Sequence, residues 1–384
     1  MNLEDLLSLP RNVAVHFPLP DGAFPQLKLT LPQVRRYRSM EQRILDETLM
    51  LELTHRQHLV QPIEKSDWKL VAAPQHLRVY KRSTRVSSFP PSVLCVGSVL
   101  GTVEDALCGL YDESSEDARA VGSLTNKSHM DAAVLATMER SSAQKPFRLL
   151  SLQWQLQDSG VLMKPRDYVT IKAMGIRIDT HGRRFGYALV KSVKRQEVPP
   201  FSDRLAVRGN MMICCIFRQL SPSTVGVFAK AVVDLGDVPD WLSYKVACSV
   251  ALAMLDSTRC LAAKRLAELS LRHFRVLRLS KLHTSVLRST LRATATKLKL
   301  RSGAASTVSL SGCSVCGGER RVALRVSVQC QVCGEDVCAK CRVKQTVMAT
   351  PANVRVWCCK RCLLVASALP IDPIALCPVV RGLV

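Results

Sequence analysis

Leu150-Ser151-Leu152-Gln153-Trp154-Gln155-Leu156-Gln157 decides how the larger part of this chain is read. Four large apolar side chains alternate strictly with four polar ones. Successive side chains of an extended strand point to opposite faces, so the stretch predicts a strand with one apolar face and one wet face. Runs of similar character stand on both sides of it: Leu77-Arg78-Val79-Tyr80-Lys81, Val93 to Val99, Tyr168 to Ala173, Phe185 to Val193, Met211 to Phe217 and Val225 to Val233. Over much of this span the gaps between them suit antiparallel hairpins.

Helices bracket and interrupt the strands. Thr30-x-x-Gln33 makes a capping box with Pro32 in the first turn, and Val34, Tyr37, Met40, Ile44 and Leu51 then share one helical face. Thr102-x-x-Asp105 caps a second helix, Val103 to Tyr111, and a long apolar-rich helix is expected from about Pro239 to Leu269. A curved antiparallel sheet wrapped on that last helix buries these faces most economically, which places the chain in the α+β class.

Composition bounds the rest. The 384 residues carry 54 Lys and Arg against 31 Asp and Glu, a net charge of +23, and 47% of them are hydrophobic, so a wholly disordered chain is excluded and two or three domains are expected. The longest apolar stretch, Val246 to Leu255, is about half of what a bilayer span needs, and no transmembrane helix is expected. Glu4 and Asp5 near the N-terminus fit neither a secretory signal nor a transit peptide, and a cytoplasmic or nuclear location is the expectation. Charge and cysteine are both segregated. Residues 259–301 hold 12 basic side chains and 1 acidic one, and ten of the 16 cysteines fall in the last 72 residues. The division that follows is an N-terminal segment 1–16, a large domain 17–277, a basic connector 278–311, a Cys-rich module 312–366 and a tail 367–384.

The module reads Cys313-x2-Cys316, thirteen residues, Cys330-x2-Cys333-Gly334, four residues, Cys338-x2-Cys341, seventeen residues, Cys359-x2-Cys362. A two-residue knuckle aims both thiolates at one ion and zinc takes four soft ligands in a tetrahedron, so four knuckles fit two Zn2+ ions. Gly334 supplies the positive φ such a turn often needs. Clustered cysteines without a secretory signal point to metal rather than disulfides. Four residues between the second and third pairs are too few for adjacent couples to fold separately. The expected ligand sets are therefore interleaved: Cys313, Cys316, Cys338 and Cys341 for the first zinc, Cys330, Cys333, Cys359 and Cys362 for the second. Cys358 adjoins Cys359, but only Cys359 keeps the two-residue spacing to Cys362; Cys358 and Cys377 are read as spares.

This spacing resembles the FYVE zinc finger over about 50 residues, Cys313 to Cys362. The resemblance implies a small cross-brace fold around two zinc ions. It does not carry the family's grip on phosphatidylinositol 3-phosphate. Val326-Ser327-Val328-Gln329 stands where a basic, His-rich run precedes the third Cys, no Trp or Asp occupies the ten residues before Cys313, and Arg355-Val356-Trp357 is out of register with the family's RVC motif. RING and PHD fingers also cross-brace two zincs, but they usually place a His among the middle ligands, and the module has none.

In the basic run, Val276, Leu279, Leu282, Val286 and Leu291 recur at spacings of three to five, as in an imperfect basic amphipathic helix. An anionic membrane surface is one expected partner and a solvated linker the plainer alternative. Nucleic acid is disfavoured, because Phe274 is the only aromatic residue between Arg259 and Arg301 to stack a base.

The large domain resembles the START lipid-transfer family from about Phe17 to Phe274. The resemblance rests on Asp67-Trp68-Lys69-Leu70 with Leu77-Arg78-Val79-Tyr80, Ser98-Val99 before the Thr102 helix, and Pro165-Arg166-Asp167-Tyr168-Val169. It continues through Ser192-Val193, Val198-Pro199-Pro200, Val207-Arg208-Gly209, and Val233-Asp234-Leu235-Gly236 before Pro239-x-Trp241-Leu242. Paired with the finger, the chain resembles the START-FYVE proteins abundant in oomycetes. The family implies a helix-grip fold, a sheet and C-terminal helix enclosing a tunnel for one lipid, whose contact residues here are unknown from sequence. Met211, Met212, Cys214 and Cys215 read as core more readily than as tunnel lining. Arg166 and Asp167 read as a structural ion pair, Glu104 and Asp105 as carboxylates at a helix N-terminus, and His181 as an exposed turn residue.

Neither a GxSxG elbow, a P-loop, GxGxxG nor HExxH occurs in the sequence, and four CxxC pairs exceed what a dithiol oxidoreductase needs. The expectation is a non-enzymatic intracellular lipid-binding protein whose finger and connector meet a membrane, endosomal or otherwise anionic, or a protein partner. The alternative is an interaction adaptor whose finger binds protein and whose START fold is a scaffold.

Overall fold

The computed structural model describes residues 2–8, 15–58, 68–74, 76–82, 91–160, 163–201, 205–236, 238–273, 313–318, 328–350, 352–372 and 380–381. The connector 278–311, the apolar positions proposed for its helix, and Cys377 lie outside them. The chain divides into two units, Met1–Leu261 with Ile371–Leu376 and Ala262–Pro370 with Cys377–Val384.

The first unit opens with α1 (Leu3–Ser8) and α2 (Leu31–His58), followed by β1 (Trp68–Ala72), β2 (Leu77–Arg82), β3 (Ser92–Leu100), α3 (Val103–Leu110) and α4 (Ser115–Thr125). Then come β4 (His129–Glu139), β5 (Leu149–Gln157), β6 (Arg166–Ile178), β7 (Arg184–Ser192), β8 (Val207–Arg208), β9 (Asn210–Ser221), β10 (Thr224–Asp234) and α5 (Asp240–Leu255). One sheet runs β1-β2-β3-β10-β9-β7-β6-β5-β4, antiparallel at every step, with β8 pairing parallel to β6.

Each expected strand is present, and both faces of the sheet are covered. Val93, Cys95, Met211, Ile213, Cys215, Val227 and Ala229 join one core with residues of α3 and α5. Leu94, Leu152, Trp154, Ile171, Phe185 and Leu189 join the other with residues of α1 and α2. This corrects the wet face expected of β5: Ser151, Gln153 and Gln157 are buried. The alternation reports two chemically different faces, and the polar one is covered in part by the segment after α3, where Asp112 accepts from Gln153.

The capping boxes stand where the sequence puts them. Gln33 and Thr30 exchange hydrogen bonds at 2.9 and 3.4 Å, and Thr102 and Asp105 at 2.8 and 3.0 Å. α2 is fastened to the sheet by two buried carboxylates. Glu41 accepts from Arg148, Tyr187 and Arg177, and Glu52 accepts from Arg218. Two further elements lack a strong periodic signal. β4 is alanine-rich, and α4 packs Ala118 on its Ala132 and Val134. The Ser114-x-x-Asp117 capping box of α4 was nevertheless legible.

The long closing helix is two helices. α5 ends at Asp256, whose N–H donates to the carbonyls of Leu252 and Ala253, and α6 (Ser257–His273) departs at 45°. At the bend the chain lies close against α3: a Cβ built on Gly109 would stand 2.0 Å from the Ser257 carbonyl oxygen. No single described helix is long and apolar enough to cross a membrane; α5 and α6 together pass only as a bent pair.

The second unit holds β11 (Val328–Gln329), β12 (Asp336–Val337), β13 (Arg342–Val347), β14 (Ala349–Thr350), β15 (Val354–Cys359), α7 (Lys360–Ala368) and β16 (Val380–Arg381). β11 pairs with β12 and β13 with β15, both antiparallel, and β14 pairs parallel to β16.

Gly109→Ala is expected to cost about 1–3 kcal/mol through overpacking against the Ser257 carbonyl. A melting curve of the larger unit displaced downward by several degrees checks it, and an unchanged midpoint contradicts the assigned contact.

Candidate functional site

The cysteines of the second unit gather from separate turns. Gly317 and Gly334 have φ of +65° and +77°, and each donates its N–H to the carbonyl of the cysteine opening its knuckle, Cys313 at 2.8 Å and Cys330 at 2.7 Å. Turning back after the second cysteine sets both thiols of a pair on one side. Cys359 caps α7, its sulfur accepting from the Cys362 N–H at 3.3 Å, so the last pair spans a helix start.

Two quartets result. Cys313, Cys316, Cys338 and Cys341 form one, and Cys330, Cys333, Cys359 and Cys362 the other, with the sulfurs of each quartet within 4.8 Å of one another. These are the interleaved sets expected from the spacing. Cys316 and Cys338 sulfurs stand 3.9 Å apart, Cys330 and Cys362 3.8 Å, Cys333 and Cys359 3.9 Å. A tetrahedron with Zn–S bonds of about 2.3 Å has edges of roughly 3.8 Å, so the donor set and its spacing fit zinc.

Backbone N–H groups favour thiolate. Cys338 donates to the Cys313 sulfur at 3.4 Å, and Cys359 to that of Cys330 at 3.2 Å. Burial opposes ionisation of Cys313, but the N–H groups around it outweigh that and pull it down to about 6. Cys358 stands apart. It is fully buried, burial and the neighbouring Cys330 and Cys359 push its thiol up to about 12, and its place on β15 turns it away from the quartets. Cys359 is thus the member that joins the second quartet.

In the first unit, the face of the sheet toward α5 changes character along the sheet. On β3, β9 and β10 it is apolar. On β5 and β6 it carries Ser151 opposite Lys172, and Gln153 opposite Thr170. Lys172 donates to Asp112 at 2.6 Å and to the Leu110 carbonyl at 2.7 Å, while Gln153 donates to Asp112 at 2.9 Å and to Ser151 at 3.1 Å. All five of these side chains are buried. A lysine on the same face as Tyr168 and Thr170 in an otherwise apolar strand was the sequence signal for this row, and it was missed.

No protein-family model and no curated protein matches the chain. Among solved structures the chain is similar to human STARD10, at 14% identity and a TM-score of 0.37, covering 53% of this chain and 78% of that one. It is similar also to human StAR-related lipid transfer protein 5, at 15% identity and a TM-score of 0.40 over 58% of this chain and 97% of that one. A third likeness is to the lipid transfer and protein localization domain of human StarD13, at 13% and 0.38 over 55% and 95%.

The other residues singled out in the sequence have structural places. Asp167 is paired with Arg208, at 2.8 to 3.1 Å, and not with Arg166, which donates to the carbonyls of Lys164 and Leu235. Asp167 also accepts from the Trp154 indole at 3.1 Å, so the pair Arg166–Asp167 is corrected to Arg208–Asp167–Trp154. Glu104 pairs with Arg184 and Asp105 closes a cap. His181 is exposed. Met211 and Cys215 face α5, and Met212 and Cys214 face α2. Burial pushes the Cys95 and Cys214 thiols up to about 12, which leaves them inert core groups.

Cys338→Ser is expected to abolish hydrogen-exchange protection across residues 328–368 while residues 92–234 keep theirs, and Cys358→Ser is expected to preserve both. Retained protection of the module in Cys338→Ser would remove that thiol from the first quartet.

Proposed function

We propose that this chain is a non-enzymatic lipid-binding protein with a two-zinc module. One amphipathic lipid lies against the α5 face of the sheet, its polar end on the Lys172, Asp112, Gln153 and Ser151 row and its chain along the apolar strands β3, β9 and β10. The observation that carries this reading is the division of one buried face into a hydrogen-bonded polar row and an apolar expanse. Burying an ion pair in a core is costly, and apolar replacements are often neutral or better, so a row placed there for packing alone would gain nothing. Lipid chain surface removed from water contributes about 25 cal/mol per Å². The alanines that α5 brings to this core, Ala247 and Ala251, leave the helix shallow contacts to part with when a ligand enters. The motifs shared with the START family point the same way.

Zinc in the second unit would be held by Cys313, Cys316, Cys338 and Cys341, and by Cys330, Cys333, Cys359 and Cys362. When bound it supplies folding free energy, roughly 10–16 kcal/mol in zinc-finger peptides. The thiolates demand a reducing compartment, which accords with a cytoplasmic location. For the module the proposed role is docking on an anionic membrane or a protein. On the β13–β15 hairpin the half-exposed Trp357 has Arg342 4.5 Å and Lys344 5.8 Å from its ring centre, and Leu364 on α7 is 71% exposed. An aromatic flanked by cations suits the polar boundary of a bilayer. The same exposed apolar groups favour the second reading, an adaptor whose module binds protein.

Replacing the ion pair as a unit, Lys172→Met with Asp112→Asn, is expected to leave the melting temperature nearly unchanged. The affinity for a fluorescent phospholipid or sterol should fall about tenfold, the loss of one good polar contact. Wild-type protein that takes up neither probe, or a double variant that binds as tightly, contradicts the lipid reading.

A further inference from the structure

The connection that follows β7 carries a buried arginine that the fold does not fully use. Arg195 has a side chain only 8% exposed. One of its terminal nitrogens donates to the Tyr37 hydroxyl at 3.3 Å and the other meets Glu197, but its Nε is buried without a hydrogen-bond partner among the described residues. A buried donor left unpaired costs about 1–3 kcal/mol, which a ligand that accepts from it would recover.

Three adjoining depressions meet at this residue, with volumes of about 390, 540 and 600 Å³, and all three are lined by Lys194 and Arg195. Arg36 of α2 lines the first and Lys191 of β7 the third. Arg208 also reaches the third, but Asp167 already neutralises it. The remaining lining holds four cations, Arg36, Lys191, Lys194 and Arg195, against two carboxylates among the described residues, Glu197 and Asp234. Burial, and after it the like charge of Arg43, lowers the Lys191 ammonium below its ordinary value. Gln33, in the first turn of α2, also lines the first depression.

We propose that this groove is an anion site for a phosphate-bearing group, held by the Arg195 guanidinium from within and by Lys194 and Arg36 from the rim. Phosphate fits the donor set, because guanidinium and ammonium groups line a concavity of headgroup size, and charge-assisted bonds to phosphate oxygens are the strong ones. The site lies apart from the polar row on the α5 face and stands whether or not that row binds lipid. The same chemistry is offered by a soluble phosphate ester and by a phosphorylated lipid headgroup.

The test titrates the full chain with inorganic phosphate, with inositol hexakisphosphate, and with phosphatidylcholine vesicles with and without phosphatidylinositol bisphosphate. Wild-type protein is expected to bind a phosphate-bearing probe with an affinity that falls as salt rises. Arg36→Glu with Lys194→Glu, both at exposed positions, should weaken that binding tenfold or more without shifting the melting temperature, and Arg195→Gln should weaken it too. Soluble inositol hexakisphosphate binding as tightly as the vesicles assigns a free phosphate ester, whereas binding confined to the phosphoinositide vesicles assigns a headgroup. Absence of binding to every probe, or equal affinity in the Arg36/Lys194 variant, overturns the proposal.

Discussion

The antiparallel pairing of β3 with β10 is the contact on which the larger unit depends. It joins Ser92–Leu100 to Thr224–Asp234, Leu100 standing opposite Thr224 and Ser92 opposite Val232, across more than a hundred residues of intervening chain. Without it, β1 to β3 and β4 to β10 are two open sheets with exposed edges, and neither buries its faces. With it, Val93 and Cys95 lie beside Val227 and Ala229 in the core that α5 caps, and Leu94 beside Phe228 in the core that α2 caps. Loop closure over so long a span must precede the reward, so this unit belongs with the slower-folding topologies. The second unit meets the same difficulty differently. Its strands are short, and eight sulfurs gather in two quartets of a spacing that could hold metal, a device that small domains often require.

Much of this was legible in the amino-acid sequence because the signals are local. Strand-like runs, one of them strictly alternating, found seven of the strands, and Thr30–Gln33 and Thr102–Asp105 marked two helix starts. The cysteine spacing gave the two quartets and separated Cys359 from Cys358. What escaped was set by contacts distant in sequence. Ser151 and Gln153 look solvent-facing from their neighbours alone; only α3 and the segment carrying Asp112 make them interior. The partner of Asp167 lies 41 residues away in Arg208, and no local pattern distinguishes it from the adjacent Arg166. The bend at Asp256 lies against Gly109 of α3, a contact that the helix's own sequence does not reveal. β4, whose middle holds Ala132, Ala133 and Ala136, shows no clean alternation of large apolar side chains to advertise a strand.

The misread face is also the informative one. A sheet covered on both sides has no need of polar residues, and placing Lys172, Asp112, Gln153 and Ser151 there requires every hydrogen bond among them to be made. They are made, at 2.6 to 3.1 Å, in one row beside an apolar expanse. A ligand that is polar at one end and apolar along its length matches that division, and a wholly apolar or wholly polar one does not. The quartets likewise fit a shared tetrahedral ion, since sulfurs at 3.8 to 3.9 Å are too far apart for disulfides and suitably placed for one.

The central claim is that one chain combines a lipid-holding unit with a two-zinc unit, and a native mass spectrum of the intact protein, released gently from cells, tests it most directly. The account expects the mass of the chain increased by two zinc ions and one lipid. The mass of the bare chain would contradict both halves. Zinc without added lipid mass would contradict the reading of the α5 face and leave the quartets standing.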